Sequence, residues 1–489
     1  MNLYSLYCNP EMVYPYPEMA FRPDCMYPEY PFGLNRLSSV TNAVYYGVRE
    51  TLRLARLDEA NYGTSHWNPL GSYIEPGMRV LIKPNLVMHE NPAGYGTDCL
   101  FTHPSVVAAV IDYVVIALKG KGSIIIADAP MQSCNFDLLV DYSGLKDLVD
   151  WYRAEGISIE LFDMRGLKSK VTSFGLQQVL AEGATGKVVD LGKDSCFAGL
   201  SRERIDRLRI TNYNPDELKK HHTLEKHEYY VSTLLLDADV VVNLPKAKTH
   251  RKAGVTGALK NMVGINVRKE YLPHHSNGSI AQGFDEYKET SVFKCASDAV
   301  LDVKNRRLMR GGVFAKKLLG LLVKVLDFIG KSLSGDFYSE GSWYGNDTIW
   351  RTVLDLNKIV FFADKEGVMQ DDVQRRVIVF CDMVTIGQGE GPLLPEPGEW
   401  HMLAFCDDPC VHDVAMARLM GTDESLIATI HNTLKYDGSY AWRSISDCLP
   451  VCSSNSPEFD GVRIDGLNAK KTYQAKPTSG WAAHFERGV

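Results

Sequence analysis

The residues of this chain that could do chemistry are lysines, histidines and aspartates that follow its most hydrophobic segments. The densest group contains Lys246, Lys248 and His250, with Lys260 and Asn261 close behind. Ammonium groups hold phosphate or carboxylate as mobile point charges, and an imidazole can carry a proton near neutral pH. The segment therefore predicts an anion site with His250 as the catalytic acid or base. The alternative is a solvated basic turn leading into a helix.

Two earlier segments carry similar residue types. Lys83 and Asn85 follow an apolar run, and Thr102-His103-Pro104 opens a predicted helix, where Pro is favourable. A helix N-terminus attracts anions. We therefore predict that Lys83, Asn85 and Thr102 bind substrate and that His103 is a second proton carrier. The alternative is a threonine N-cap with an incidental histidine.

Aspartates and glycines complete the candidate site. Asp128 ends another apolar run and is predicted to orient the catalytic groups or to bind a metal. Asp382 and Asp408 would supply oxygen ligands for a divalent cation, although helix capping explains Asp408 equally well. Gly389 and Gly391 lie in a glycine-rich stretch that lacks the Lys and Ser/Thr of a P-loop. Its backbone amides could wrap a ligand, or it is a flexible connection.

The elements that must position these residues alternate between strands and helices. This order predicts an α/β fold with a largely parallel, Rossmann-like layered sheet and inserted subdomains. Ligands of such sheets lie beyond the carboxyl ends of the strands, so the polar residues should converge in one cleft. Strands are predicted at 78–82, 123–127, 157–162, 238–242 and 377–381, and helices at 38–58, 104–118 and 136–154.

The predicted organisation has six parts. They are an extended Tyr/Pro-rich arm at 1–35, a first α/β half at 36–163, an inserted subdomain at 164–230, a second α/β segment with the Lys/His motif at 231–307, an amphipathic insertion at 308–344, and a C-terminal α/β segment and tail at 345–489.

Composition narrows the function classes. The formal net charge is −7 and no long basic block is present, which argues against a nucleic-acid partner. The 11 cysteines include no ferredoxin-type run, so we expect no iron–sulfur cluster, and no Cys-x-x-Cys supports a redox role. The start has no signal-peptide pattern and no window approaches a membrane span, which predicts a cytoplasmic protein.

Residues 314–329 form an amphipathic pattern in which lysines interrupt leucines and valines. Such a helix could lie on an anionic membrane, which would place the protein peripherally at the inner membrane. A helix that faces the core or acts as a lid shows the same pattern, and we favour that interpretation from the sequence.

Together these motifs resemble the domain of unknown function 362 family. The family pattern has Lys-Pro-Asn after an early strand, here Lys83-Pro84-Asn85. It then has an Asn-x-Pro-Lys-x-Lys-x-His segment with a later Lys-Asn and Gly, here 243–250 followed by Lys260-Asn261 and Gly264, and a late Gly-x-Gly-Pro at 389–392. The resemblance covers about 75–430. The arm and the stretch at 128–132 look like the longer branch found among bacterial surface-polysaccharide genes, which implies a role near glycan assembly.

Two functions follow as expectations. The first is an enzyme that acts on a small anionic substrate, such as a sugar phosphate, a nucleotide sugar or a carboxylate, with lysines holding the charge and a histidine moving a proton. The second is a non-catalytic binding or scaffold protein for glycan assembly, associated with a membrane through 314–329.

Overall fold

A computed structural model describes residues 3–16, 19–172, 175–307, 313–444, 447–467 and 473–485. The strands are β1 (Tyr4–Cys8), β2 (Arg79–Pro84), β3 (Ser123–Asp128), β4 (Ile159–Asp163), β5 (Leu167–Thr172), β6 (Gly175–Leu180), β7 (Gly186–Asp190), β8 (Leu208–Arg209), β9 (Glu228–Ser232), β10 (Val240–Leu244), β11 (Lys246–His250), β12 (Gly254–Thr256), β13 (His275–Ser276), β14 (Arg376–Glu390), β15 (Leu394–Cys406) and β16 (Cys452–Ser454). The helices are α1 (Ala43–Leu54), α2 (Pro104–Leu118), α3 (Phe136–Tyr142), α4 (Leu145–Ala154), α5 (Arg202–Asp206), α6 (Pro215–His221), α7 (Thr233–Leu236), α8 (Ala258–Asn261), α9 (Val292–Asn305), α10 (Val313–Ser334), α11 (Ile349–Phe362), α12 (Pro409–Leu419), α13 (Ala428–Leu434) and α14 (Ala482–Phe485).

One large sheet organises the chain, in the strand order β16-β1-β15-β14-β10-β2-β3-β4. The strands from β14 to β4 run parallel, whereas β15 is antiparallel to both β14 and β1. This confirms the predicted α/β, largely parallel, Rossmann-like layered fold. The central strands are buried on both faces, since Val80 and Ile82 pack with α1 and α2 while Leu81 packs with α11 on the opposite side.

The first strand of the sheet comes from the segment predicted to be an extended arm. β1 pairs with β15 on one side and with β16 on the other, and Tyr4 and Leu6 are buried. The prediction of an arm is therefore wrong for these residues, because hydrogen bonding to β15 and β16 and continuous burial of Tyr4 to Tyr7 make them a strand inside the sheet. Further along the predicted arm, the ring of Tyr27 stacks on that of Tyr45 of α1, with the centroids 5.6 Å apart.

Two other predicted segments take a different form. The glycine-rich stretch around Gly389 is the end of the long strand β14, which pairs with β15 as far as Glu390, so it is neither a ligand-wrapping loop nor a flexible connection. The basic segment 246–250 is the strand β11, held between β14 and β12, and not a solvated turn. The predicted helix 136–154 divides into α3 and α4 at Gly144, whose φ is 83°.

The two predicted insertions stand apart from the main sheet. The first contains the β5–β6 hairpin, and β7 pairs with β9. In the second, α10 packs against α9 as a helical hairpin, while 308–312 lie outside the described residues. No described residue of α10 belongs to a hydrophobic core cluster, so the core-facing interpretation is wrong. Within the described chain, no helix is long and apolar enough to span a bilayer.

Candidate functional site

A cavity of about 160 Å³ lies beyond the carboxyl ends of β2 and β3. This is where ligands of open α/β sheets lie. Its walls come from the loops after both strands, from the β11–β12 turn, from α8 and from the first insertion. The lining residues that carry polar groups are Asn85, Asp128, Thr211, Tyr213, His250, Arg251, Lys252, Thr256, Lys260, Asn261, Lys269 and His274.

A chain of buried polar side chains lies beside the cavity; Asn85, Asp128 and Asn261 line it, whereas Lys83 and Lys248, which were predicted to bind substrate, do not. The Lys83 ammonium lies 2.6 Å from an Asp128 oxygen, and Asn261 accepts from Lys83 at 3.4 Å and from the Asn85 amide at 3.2 Å. Lys248 donates to Asn85 at 2.5 Å. Burial lowers the pKa of Lys83 even though Asp128 favours its charged form. The residues predicted around Lys83 therefore converge, but most of their polar groups satisfy one another.

The ion pair between Lys83 and Asp128 packs so closely against Gly264 that no side chain fits at this position. A Cβ atom at Gly264 would lie 2.0 Å from an Asp128 oxygen and 2.7 Å from the Lys83 nitrogen. The Gly264 carbonyl also accepts from the Ala129 backbone amide at 2.9 Å. Any side chain here would displace the ion pair, which explains a glycine at this place in the Lys-Asn-x-x-Gly segment.

The turn that follows β11 fixes which ring nitrogen of His250 carries the proton. Its Nδ1 accepts the backbone amides of Lys252 at 3.0 Å and Ala253 at 3.1 Å. An Nδ1 atom that accepts two N–H groups carries no proton, so the proton of the neutral ring is on Nε2. Burial and the nearby Lys260 lower the His250 pKa well below its usual value. The ring therefore offers an N–H donor to a ligand, and this geometry favours that role over a general base.

Lys260 differs from every other predicted lysine. It lies on the single turn of α8, is partly exposed to the cavity, and its ammonium has no hydrogen-bond or ion-pair partner among the described residues. Burial, with Lys269 and Lys252 nearby, lowers its pKa to about 7. The amine therefore interconverts between charged and neutral forms at neutral pH, which is the range that general acid–base chemistry needs.

Two further lysines, Lys252 and Lys269, line the cavity and donate hydrogen bonds to backbone carbonyls. Lys252 donates to the Glu340 carbonyl, and Lys269 donates to the Pro130 carbonyl at 2.7 Å. Burial lowers the pKa of each to about 8. Among the described lining residues Asp128 is the one carboxylate, and it is already paired with Lys83. The cavity is therefore electropositive and suited to an anion.

Three other predicted site residues, His103, Lys246 and Asp382, form a second, closed cluster with Tyr14. Lys246 donates to Asp382 at 3.0 Å and to the Tyr14 hydroxyl at 2.5 Å, and that hydroxyl donates to Asp382 at 2.7 Å. His103 stacks on Tyr14 with ring centroids 4.0 Å apart, and its backbone amide donates to Asp382 at 2.9 Å. None of these residues lines the cavity. His103 was predicted to move a proton in the site. It lies apart from the cavity, so the structure does not bring it to the ligand-binding groups.

Other predicted site residues have structural partners. Thr102 donates to the Leu244 carbonyl at 2.6 Å and His103 replaces it as the N-cap of α2. Asp408 caps α12 through two backbone amides, and the Gly389 amide donates to the Lys476 carbonyl. Gly391 donates to Gly389, so neither glycine amide faces a ligand. In the described part of the chain, no three or more His, Cys, Asp or Glu side chains gather as metal ligands.

Sequence reasoning missed several lining residues. Lys252 continues the alternation of Lys246, Lys248 and His250, and that period-two pattern is a signal that could have found it. Lys269 begins a short 3-10 helix and His274 lies in irregular backbone, and neither position has a periodic signal in the sequence. The wall from the first insertion depends on how that insertion folds back, which no local pattern encodes.

Comparison with known proteins gives a family but no reaction. Residues 80–189 and 177–418 match the model described as "Domain of unknown function (DUF362)". A curated relative, "Thylakoid-associated protein sll1697" of Synechocystis sp., is 25% identical over 235 residues, which are 48% of this chain. The chain spans about half of that relative, 54% of its length. No solved structure matches significantly. Since the matched regions cover well over half of the sequence, the chain belongs to the DUF362 family.

Proposed function

We propose that the protein binds a small anionic molecule in the cavity and acts on it as an enzyme. The observation that carries the proposal is the unpartnered Lys260 ammonium in a cavity where the other described charges are engaged. His250 would donate its Nε2 proton to the same anion. Lys260, with its pKa near 7, replaces His250 as the group proposed to take up or release a proton.

The apolar walls constrain the rest of the ligand. Leu86, Met131, Ile210, Val263 and Leu393 line the cavity beside the cationic groups. A ligand with an anionic end and a less polar body would therefore complement it. Sugar phosphates, nucleotide sugars and carboxylates fit this description. The resemblance to the branch found among surface-polysaccharide genes makes glycan metabolism the proposed setting.

The proposed location is the cytoplasm, at the surface of a membrane. The printed name of the Synechocystis relative associates that protein with thylakoids. A non-catalytic binding or scaffold protein at a membrane is the second candidate function, and the exposed apolar helix α10 favours it. Binding of a ligand without any turnover would favour this second candidate over the enzyme.

Calorimetric titration with sulfate and a panel of sugar phosphates tests the proposal. We expect Lys260→Met to weaken binding by about 10- to 100-fold, as the loss of a hydrogen bond from a charged donor predicts. Lys219→Met, which removes an exposed lysine on α6, is the matched control and should bind like wild type. Equal binding by the Lys260 variant and wild type would refute Lys260 as the anion-binding group.

A further inference from the structure

The hairpin of α9 and α10 exposes an unusual amount of apolar surface. In α10 the stripe Leu318, Leu321, Val325 and Phe328 recurs at intervals of three and four residues, so it occupies one side of the helix. Between 46% and 71% of each of these side chains is exposed. Leu322, beside the stripe, is 43% exposed. Contiguous apolar surface of this kind marks an interaction site in a folded protein.

The opposite side of α10 already has its partner. Ser297 of α9 donates to the Val323 carbonyl at 3.2 Å, and Gly330 lies against Lys294 of α9. α9 itself is tied to the body, because Arg209 pairs with Asp302 at 3.1 Å. The apolar stripe is therefore held outward by a helix pair that is anchored to the fold.

Positive charge borders this stripe. Lys317 and Lys324 are exposed, and each lies three or four residues from Leu321, so both flank the stripe. The acidic residue of α10, Asp327, is neutralised by Lys331 at 2.7 Å. The whole chain carries a formal charge of −7. In the sequence, residues 304–317 include no Asp or Glu and contain Lys304, Arg306, Arg307, Arg310, Lys316 and Lys317, of which Arg306 pairs with Asp216 at 2.9 Å.

We propose that this hairpin docks on an anionic lipid bilayer, with α10 in the interfacial plane, its leucine stripe among the acyl chains and its lysines at the phosphates. A helix of 22 residues is about 33 Å long at 1.5 Å per residue, so it offers an extended line of contact. Apolar burial and attraction to anionic headgroups act together at such surfaces. A second copy of the chain would instead bring two lysine-flanked surfaces together, and their charges would repel.

Vesicle flotation of the full chain tests the docking. We expect wild type to float with phosphatidylcholine vesicles that contain phosphatidylglycerol and to float weakly with phosphatidylcholine alone. The double variant Leu321→Gln/Phe328→Gln should lose binding by at least about 10-fold, because both side chains enter the apolar layer. Lys317→Gln/Lys324→Gln should reduce binding to the anionic vesicles more than to the neutral ones.

Matched controls separate docking from folding and from the cavity. Val188→Gln/Leu224→Gln replaces two exposed apolar side chains elsewhere and should float like wild type. The variants of α10 and the Val188/Leu224 variant should keep the wild-type circular dichroism and thermal transition, since their substituted side chains are exposed. Lys260→Met should also float normally, because docking does not depend on the proposed anion site.

Two outcomes would overturn the proposal. One is equal flotation of wild type and the Leu321/Phe328 variant. The other is a wild-type protein that sediments as a dimer and binds neither type of vesicle, together with a Leu321/Phe328 variant that sediments as a monomer. That result would assign the stripe to contact with a second copy of the chain.

Discussion

Lys246 and Lys260 come from one short stretch of sequence, yet their surroundings are opposite. Lys246 is fully buried, with Asp382 and the Tyr14 hydroxyl as partners. Lys260 faces the cavity without a partner among the described residues. A buried ion pair holds parts of the fold together, whereas a partly desolvated, unpaired ammonium is available for an anionic ligand. Residue type alone therefore does not identify the functional lysine, and the partners do.

The largest expected effect comes from breaking the closed cluster. Asp382→Ala leaves the Lys246 ammonium buried without an anion, and we expect the free energy of unfolding to fall by about 3–5 kcal/mol in urea denaturation. Lys260→Met should cost little, because it removes an uncompensated charge. Asp372→Ala, an exposed aspartate, is the control and should leave the unfolding free energy nearly unchanged.

A double variant sharpens this result. Adding Lys246→Met to Asp382→Ala removes the orphaned charge and should recover part of the lost stability. Equal effects of Asp382→Ala and Lys260→Met on the free energy of unfolding would contradict the distinction between the paired Lys246 and Lys260.

The affinity of the cavity for an anion should depend on pH through Lys260. The pKa of Lys260 falls from 10.5 to about 7 in the folded protein, so the ammonium that holds an anion is lost as pH rises through about 7. Sulfate keeps its charge over this range. We expect its affinity to fall by up to about tenfold per pH unit above neutrality, measured by calorimetry between about pH 6 and about pH 9.

The lowered pKa of Lys260 makes stability change with pH in the opposite direction to anion affinity. The unfolded chain binds the Lys260 proton up to about pH 10.5, so without ligand this group makes the folded state more stable as pH rises from about 7. Lys260→Met should flatten both the affinity profile and this part of the stability profile. Profiles that are unchanged in the variant would assign the titration to Lys248, Lys252 or Lys269.

The smallest expected effect concerns His250. In His250→Asn the side-chain oxygen can still accept the Lys252 and Ala253 amides, but the donor at Nε2 is lost. We expect stability to be retained and sulfate affinity to fall by a factor that corresponds to about 0.5–1.5 kcal/mol. His250→Gln is the converse control, since it offers an N–H near Nε2 but leaves the turn amides unpaired. Undiminished affinity in the asparagine variant would exclude His250 as a ligand donor.

The sequence by itself determined the parallel core of the fold and several of the groups beside the cavity. Apolar runs that end in polar residues predicted β2, β3 and β10, because strands buried on both faces must be continuously hydrophobic, and a shorter run predicted the edge strand β4. The convergence of strand ends then brought Lys83, Asn85, Asp128 and Asn261 together.

Only the tertiary structure decided which groups remain free. β1 pairs with strands from the far end of the chain, so its place in the sheet could not follow from the Tyr/Pro-rich composition around it. The pairing of Lys246 with Asp382 and Tyr14, and the isolation of Lys260, depend on contacts across more than a hundred residues of sequence. Local patterns report periodicity and burial. The partner of a charged group is set by long-range packing, and that packing leaves Lys260 beside the cavity without a partner among the described residues.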